Sequence, residues 1–310
     1  MSFTAKDVMS LREATGVGMM DCKKALKETD GDMEKAIAYL REHGLAAAQK
    51  KAGRIAAEGI AYADVFDGVG VVVEVNSETD FVAKNEMFTD FVKGVAKAVA
   101  ISKPNSLEDL MASTFPGLDK TVSEQQQEMI VVIGENISVR RYQRYEGGIN
   151  VPYIHAGGKI GVIVNIEASS ISNVDAVVEL GKDIAMQIAA MRPLYLDTSS
   201  VDPAELEKEK EIQLNKAIEE NKAKNLDEEK SRQIAENMVK GRISKFYEDI
   251  CLLNQAFVKE GKISVEKHVQ EVAKSLGGQI TIKAFTRFEK GEGIEKAEDD
   301  FAAEVAKMVK

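Results

Sequence analysis

The sequence predicts an α+β fold in several parts, and three observations predict it. Two glycine-bearing apolar runs, each followed by a segment with helical periodicity, indicate a duplicated core. Short capped segments at the amino end indicate a three-helix unit. Two charged helical segments joined by a turn indicate an antiparallel hairpin. The chain has 310 residues, 44% of them hydrophobic and 30% charged, which suits more than one packed core rather than disorder.

Taken in order, Thr4 caps a first helix with Val8 and Leu11 on one face. Thr15-Gly16-Val17-Gly18 breaks it. A second helix begins at Met19-Met20-Asp21-Cys22-Lys23-Lys24, and Asp30-Gly31-Asp32 ends it. Asp32 caps a third helix that carries Ala36, Ile37 and Leu40. The alanine-rich stretch from Ala46 to Arg54 reads as a flexible or partly helical linker.

The middle repeats one scheme. Gly68-Val69-Gly70-Val71-Val72-Val73-Glu74-Val75 is a strand, followed by Phe88, Phe91, Val92, Val95 and Val99 at helical spacing. The run from Gly158 to Ile166 is a second strand, followed by a helix with Val177, Leu180, Ile184 and Ile188. The copies diverge between strand and helix: the first inserts Thr79-Asp80-Phe81-Val82, where the second has only Ala168-Ser169-Ser170-Ile171.

Asp202-Pro203-Ala204-Glu205 is a strong helix start, with a cap, a proline at the first position and glutamate at the third. The helix turns at Asn225-Leu226-Asp227 into a second one with Ile234, Met238, Ile243 and Phe246. The segment from Ile250 to Val258 returns toward the core. A short helix over Ser264 to Leu276 and an alternating strand over Gln279 to Phe288 follow. Gly291-Glu292-Gly293 leads to a last helix with Phe301, Val305 and Met308. These signals place the boundaries at 1–54 for the three-helix unit and linker, and at 55–142 for the first core subdomain. The second core subdomain takes 143–200 and 249–290, the hairpin 201–248, and a C-terminal helical module 291–310.

Charge and motifs limit the function. Forty-one basic against 51 acidic residues give a net charge of −10, which argues against a broad nucleic-acid footprint. No phosphate loop is present, and neither Gly16-Val17-Gly18 nor Gly68-Val69-Gly70 continues as a dinucleotide motif. His43, His155 and His268 stand at no metal-binding spacing, so no metal or cofactor is expected. Cys22 and Cys251 form no motif, and no signal peptide or membrane span is recognisable. A cytoplasmic protein is therefore expected. No residue set for covalent catalysis emerges, so the chain reads as a binding protein rather than an enzyme.

The stretch Asn76-Ser77-Glu78-Thr79-Asp80-Phe81-Val82 puts a phenylalanine at a polar turn just past a strand end. Either Asp80 caps a helix and Phe81 enters the core, or Phe81 is presented to a partner. An internal control exists in Thr89-Asp90-Phe91-Val92, where the same letters fall on an apolar helix face with Phe88 and Val95. Met19 and Met20 are adjacent, so at least one of them faces away from the core.

Several blocks resemble the bacterial elongation factor Ts family: Leu11 to Leu26, Thr79-Asp80-Phe81-Val82-Ala83-Lys84, Ile133-Gly134-Glu135-Asn136-Ile137 with Arg140-Arg141, and Phe285-Thr286-Arg287-Phe288 through Lys296. They run in order along nearly the whole chain. The resemblance implies a UBA-like three-helix domain and two related core subdomains with antiparallel sheets. It also implies a guanine-nucleotide exchange factor for elongation factor Tu, which dislodges magnesium so that GDP leaves and GTP enters. It assigns that displacement to Thr79, Asp80, Phe81 and Val82. Met19, Met20, Lys23, Ile133, Gly134 and His155 become further contacts, and Phe257 and Val258 a tip contact. The residue after the tip is usually apolar in the family, whereas this chain has Lys259. The hairpin mediates dimerisation in some members, which leaves a homodimer or a two-to-two complex open. A rival reading is a helical adaptor or assembly protein without exchange activity.

Overall fold

The structure, a computed structural model, describes residues 3–222 and 228–295. The expected hairpin turn Asn225-Leu226-Asp227 and the expected last helix with Phe301, Val305 and Met308 lie outside the described residues. The chain is α+β, with two three-stranded antiparallel sheets among the described residues, and it divides into two compact units. The first comprises 3–146, 154–161 and 288–295, and the second 147–153, 162–222 and 228–287.

The first unit begins with three helices. In α1 (Ala5–Thr15), Thr4 and Asp7 satisfy each other's backbone N–H groups as a capping box. Gly16 ends α1 in the left-handed region at φ +70°, which a residue with a Cβ rarely adopts. α2 (Met19–Glu28) and α3 (Met33–Lys51) follow, and the Asp32 carboxylate accepts the Lys35 N–H at the start of α3. Leu11, Cys22, Ala25, Leu26, Ala36 and Leu40 form their common core. Most of the alanine-rich stretch is the carboxyl end of α3, which runs to Lys51.

β1 (Glu58–Phe66) and β2 (Val69–Ser77) form a hairpin across Asp67-Gly68, both with positive φ. This Asp-Gly pair suits a tight two-residue turn matched to the strand twist. After β2 come α4 (Asp80–Ala83), α5 (Glu86–Ser102), α6 (Leu107–Ala112), α7 (Val122–Ile133) and β3 (Ile137–Tyr145). Sheet order is β1-β2-β3, so β2 is central and nearly every one of its residues is buried. Phe88, Phe91, Val92, Val95 and Val99 of α5 pack on this sheet, as the periodicity predicts. α7 serves two cores. Met129 and Ile130 join the sheet core, while Val131 and Val132 pack against the three-helix core.

The second unit carries most of β4 (Ile149–His155), β5 (Ile160–Ser169) and, after the helices, β6 (Gln279–Glu289), in the order β4-β5-β6. Between them run α8 (Val174–Met191), the paired helices α9 (Pro203–Lys222) and α10 (Glu228–Ile250), and α11 (Val265–Ser275). α9 and α10 bury Ala217, Ala235 and Ile243 against one another. Asn221 donates to the Ser231 carbonyl at 2.9 Å, and Arg242 meets Glu220 at 2.7 Å. The β5-to-α8 connection has no counterpart of α4, so the two copies do diverge there.

Candidate functional site

The divergent insertion is a single helical turn at the rim of the first sheet. The Thr79 backbone is extended, and its hydroxyl accepts the Val82 N–H at 3.4 Å, so Thr79 is the cap. Asp80 is therefore the first helical residue and not the cap. Val82 is buried in the sheet core beneath. Phe81, one residue earlier, points the other way and is 79% exposed. The control copy behaves oppositely, since Phe91 is 2% exposed and stacks on Phe115 with ring centroids 5.8 Å apart. Identical letters thus give an anchor in one register and a projecting ring in the other.

Asp80 pairs with Lys84 at 2.8 Å, one helical turn on. That hydrogen bond, with the Lys84 charge and a smaller effect of Lys290, holds the Asp80 carboxyl below its ordinary value. The Lys84 ammonium also lies 6.0 Å from the Phe81 ring centroid. The surface unit is therefore a carboxylate, an exposed aromatic ring and a cation within five residues of chain, Asp80 to Lys84.

The turn after α7 meets the turn after β2. Gly134 ends α7 in the left-handed region at φ +88°. Glu135 then accepts the Thr79 N–H at 2.9 Å and the Thr79 hydroxyl at 2.7 Å. In return Glu78 accepts the Asn136 N–H at 2.6 Å. Asn136 donates to the Arg54 carbonyl at 2.8 Å, and the Arg54 guanidinium lies 3.4 Å from Glu78. The structure thus brings the Thr79–Val82 set together with Ile133 and Gly134. Gly134 is exposed, and Ile133 is half-buried against the sheet core.

On α2, Met19, Met20 and Lys23 are all exposed, with Met20 at 73%. The buried face of α2 is Cys22, Ala25 and Leu26, which leaves both methionines outside the core. His155 is exposed at the end of β4, and its carbonyl accepts the Gly158 N–H.

In the second unit, one expectation needs correcting. Phe257 is 1% exposed and stacks on His268 with centroids 4.0 Å apart, so its ring cannot meet a partner. It anchors the turn from which Val258, 46% exposed, projects. Gln187, fully buried on α8, holds this turn by accepting the Val258 N–H at 2.8 Å while donating to Gln255 and the Ala256 carbonyl. Lys259 does not interrupt the tip, because it folds back onto Asp183 at 2.6 Å. No sequence signal marked Gln187, since an isolated glutamine in an amphipathic helix looks like surface.

A buried charge cluster was equally unmarked. Glu74 of β2 is fully buried and meets Arg140 at 2.9 Å and Arg141 at 2.5 Å. The β2–β3 register slips beside Glu74: Arg141 faces Glu74 and Val139 faces Val75, leaving Arg140 as the extra residue. That bulge lets consecutive arginines reach one carboxylate. Glu74 also accepts the Gly291 N–H at 2.8 Å, and the Glu292 carboxylate meets Arg141 at 3.0 Å.

Among the described residues, no group of three or more His, Cys, Asp or Glu side chains could hold a metal ion. No helix among them is long and apolar enough to cross a membrane. Burial raises the thiol pKa of Cys22, and raises that of Cys251 to about 11, so neither presents a thiolate.

A family model described as Elongation factor TS matches residues 78–292. The chain is 53% identical over 309 residues to elongation factor Ts of Clostridium perfringens (strain SM101 / Type A), covering 98% of each. It is 48% identical over 313 residues to elongation factor Ts of Syntrophotalea carbinolica, covering 100% of each. It is 46% identical over 311 residues to that of Magnetococcus marinus, covering 100% of this chain and 99% of the relative.

Proposed function

The chain belongs to the elongation factor Ts family of translation elongation factors, and from that premise we propose that it is a cytoplasmic guanine-nucleotide exchange factor for elongation factor Tu. The observation that carries this reading is Phe81, a ring 79% exposed on a one-turn helix above buried Val82. An exposed phenylalanine on a capped turn costs solubility unless a partner covers it. Asp80 and Phe81 enter the nucleotide domain of the GTPase beside its magnesium site. The exposed face of α2 with Met19, Met20 and Lys23, the Ile133-Gly134 turn and His155 add contacts to the same partner, and Val258 is a tip contact.

No covalent step is needed. The factor binds the nucleotide-free GTPase more tightly than the loaded form, and by linkage each ligand weakens the other. Accelerating release by about 10⁴ takes roughly 5.5 kcal/mol of differential binding. Burying one phenylalanine supplies about 1.5–3 kcal/mol. The remainder falls to the other contacts, which supports an extended surface rather than a single wedge.

The test is release of labelled GDP from elongation factor Tu with and without this chain. Stimulated release that is lost in Phe81→Ala, with the melting temperature kept, supports the reading. Stable binding without faster release would instead identify an adaptor.

A further inference from the structure

We propose that Glu78 and Glu135 are positioning residues of the exchange surface, crossed between two turns so that Phe81 and the Ile133-Gly134 turn form one preorganised element. The proposal rests on the exchange reading above and adds residues to which that reading gives no role.

α4 has only four residues. A single turn fixes several dihedrals for very few hydrogen bonds, so it does not hold its own shape. The Phe81 ring, largely in solvent, has little packing to orient it. Its direction must come from the residues on either side. Val82 on one side is anchored in the sheet core. Thr79 on the other side is held by Glu135, which takes both its N–H and its hydroxyl.

The reciprocal half is what makes this a clasp. Glu78, next to Thr79, accepts the Asn136 N–H, and Asn136 is next to Glu135. Each turn therefore supplies a carboxylate to the backbone of the other across a separation of 56 to 58 residues. Hydrogen bonds with an ionised acceptor are the stronger kind, and two in opposite senses oppose both sliding and hinging. Arg54 closes the third side through its carbonyl on Asn136 and its guanidinium beside Glu78. Gly134 lets α7 stop at the point where Glu135 faces Thr79. A surface ordered before binding loses less conformational freedom on contact. A ring that must enter a partner's site gains most from that order.

The experiment measures release of fluorescent GDP from elongation factor Tu against concentration of the full chain, giving a plateau rate and a half-saturating concentration. Glu135→Ala should lower the plateau about tenfold, as expected for losing a charge-assisted hydrogen bond. Its half-saturating concentration should move less than about threefold, because the other contacts remain. Made in the Phe81→Ala background, the same change should cost less than about twofold, since it acts through Phe81. Glu135→Gln, which keeps one acceptor for Thr79, should fall between wild type and Ala. It replaces Ala in the cycle if Glu135→Ala does not melt cooperatively. An unchanged plateau, or an equal loss with and without Phe81, would overturn the clasp. A wild-type plateau for Phe81→Ala would sink the wedge reading and this proposal with it, whereas slow Phe81→Ala beside fast Glu135→Ala sinks the clasp alone.

Discussion

Arg141 reaches the fully buried carboxylate of Glu74 with its Nε at 2.5 Å, while its guanidinium lies over the Phe288 ring, 4.3 Å from the centroid. The same carboxylate holds Arg140 and the Gly291 N–H, so one side chain ties the β2–β3 bulge to the turn after β6. Arg140 and Arg141 are 29% and 32% exposed, so removing Glu74 leaves two partly buried cations and the Gly291 N–H without their acceptor. Glu74→Ala should therefore destabilise the protein by about 1–3 kcal/mol. The loss is read from the urea midpoint. A change under about 1 kcal/mol would show that solvent enters and satisfies the two arginines.

Gly94 on α5 faces Phe115 so closely that a Cβ there would stand 2.0 Å from the ring. Gly94 lies inside a helix, where alanine is intrinsically favoured. Gly94→Ala should nonetheless destabilise by about 1–3 kcal/mol, because steric overlap in a packed core exceeds the helix gain. Phe115→Leu in the same chain should recover part of the loss. Additive losses in the double variant would place the clash elsewhere.

Glu146 accepts from Lys103 and Arg144, which hold its carboxyl at about 2 against an ordinary 4.5. The depressed folded value means that the unfolded chain binds the extra proton first. The contribution is therefore complete above pH about 4.5 and is lost as pH falls through about 2. Glu146 and Lys103 are exposed, so the effect is small and screened by salt. Glu146→Gln should lower the urea midpoint slightly at pH 6, and the difference should vanish by pH 2. A gap that persists at pH 2 would mean that the glutamate acts by packing rather than by charge.

How much of this fold can be read from sequence depends on where each strand sits. β2 and β5 are central, and their continuous apolar runs are plain. β3 is an edge strand with Arg140, Arg141 and Arg144, and it reads as polar chain. β4 is another edge strand and contains Pro152, which argues against a strand unless the edge position is known. β1 carried a usable signal in Asp67-Gly68, the turn residues that join it to β2. The site divides in the same way. Phe81 was only half legible: its place at a polar turn left core and partner contact both open, and the family resemblance pointed to the partner. Gln187, Glu78 and Glu135 were not legible, because their partners lie from 56 to 71 residues away in sequence. No local pattern encodes such a pairing.

The two Thr-Asp-Phe-Val tetrapeptides supply a matched pair for separating stability from function. Phe91 fills the core beside Phe115 and Phe88. Truncating it leaves a cavity, so Phe91→Ala should cost about 3–5 kcal/mol. Phe81 is held by its neighbours rather than by contacts of its own ring. Phe81→Ala should accordingly change stability by less than about 0.5 kcal/mol, as for an exposed site. Thermal and urea unfolding of the two variants, side by side, decide the matter. If Phe81→Ala is as damaging as Phe91→Ala, the ring is a structural element of the sheet rim. If it is silent in unfolding and damaging in GDP release, the same four letters encode an anchor at one position and a contact at the other. The difference would then lie in place: one copy forms the single turn α4 at a strand end, and the other lies inside the long helix α5 on its buried face.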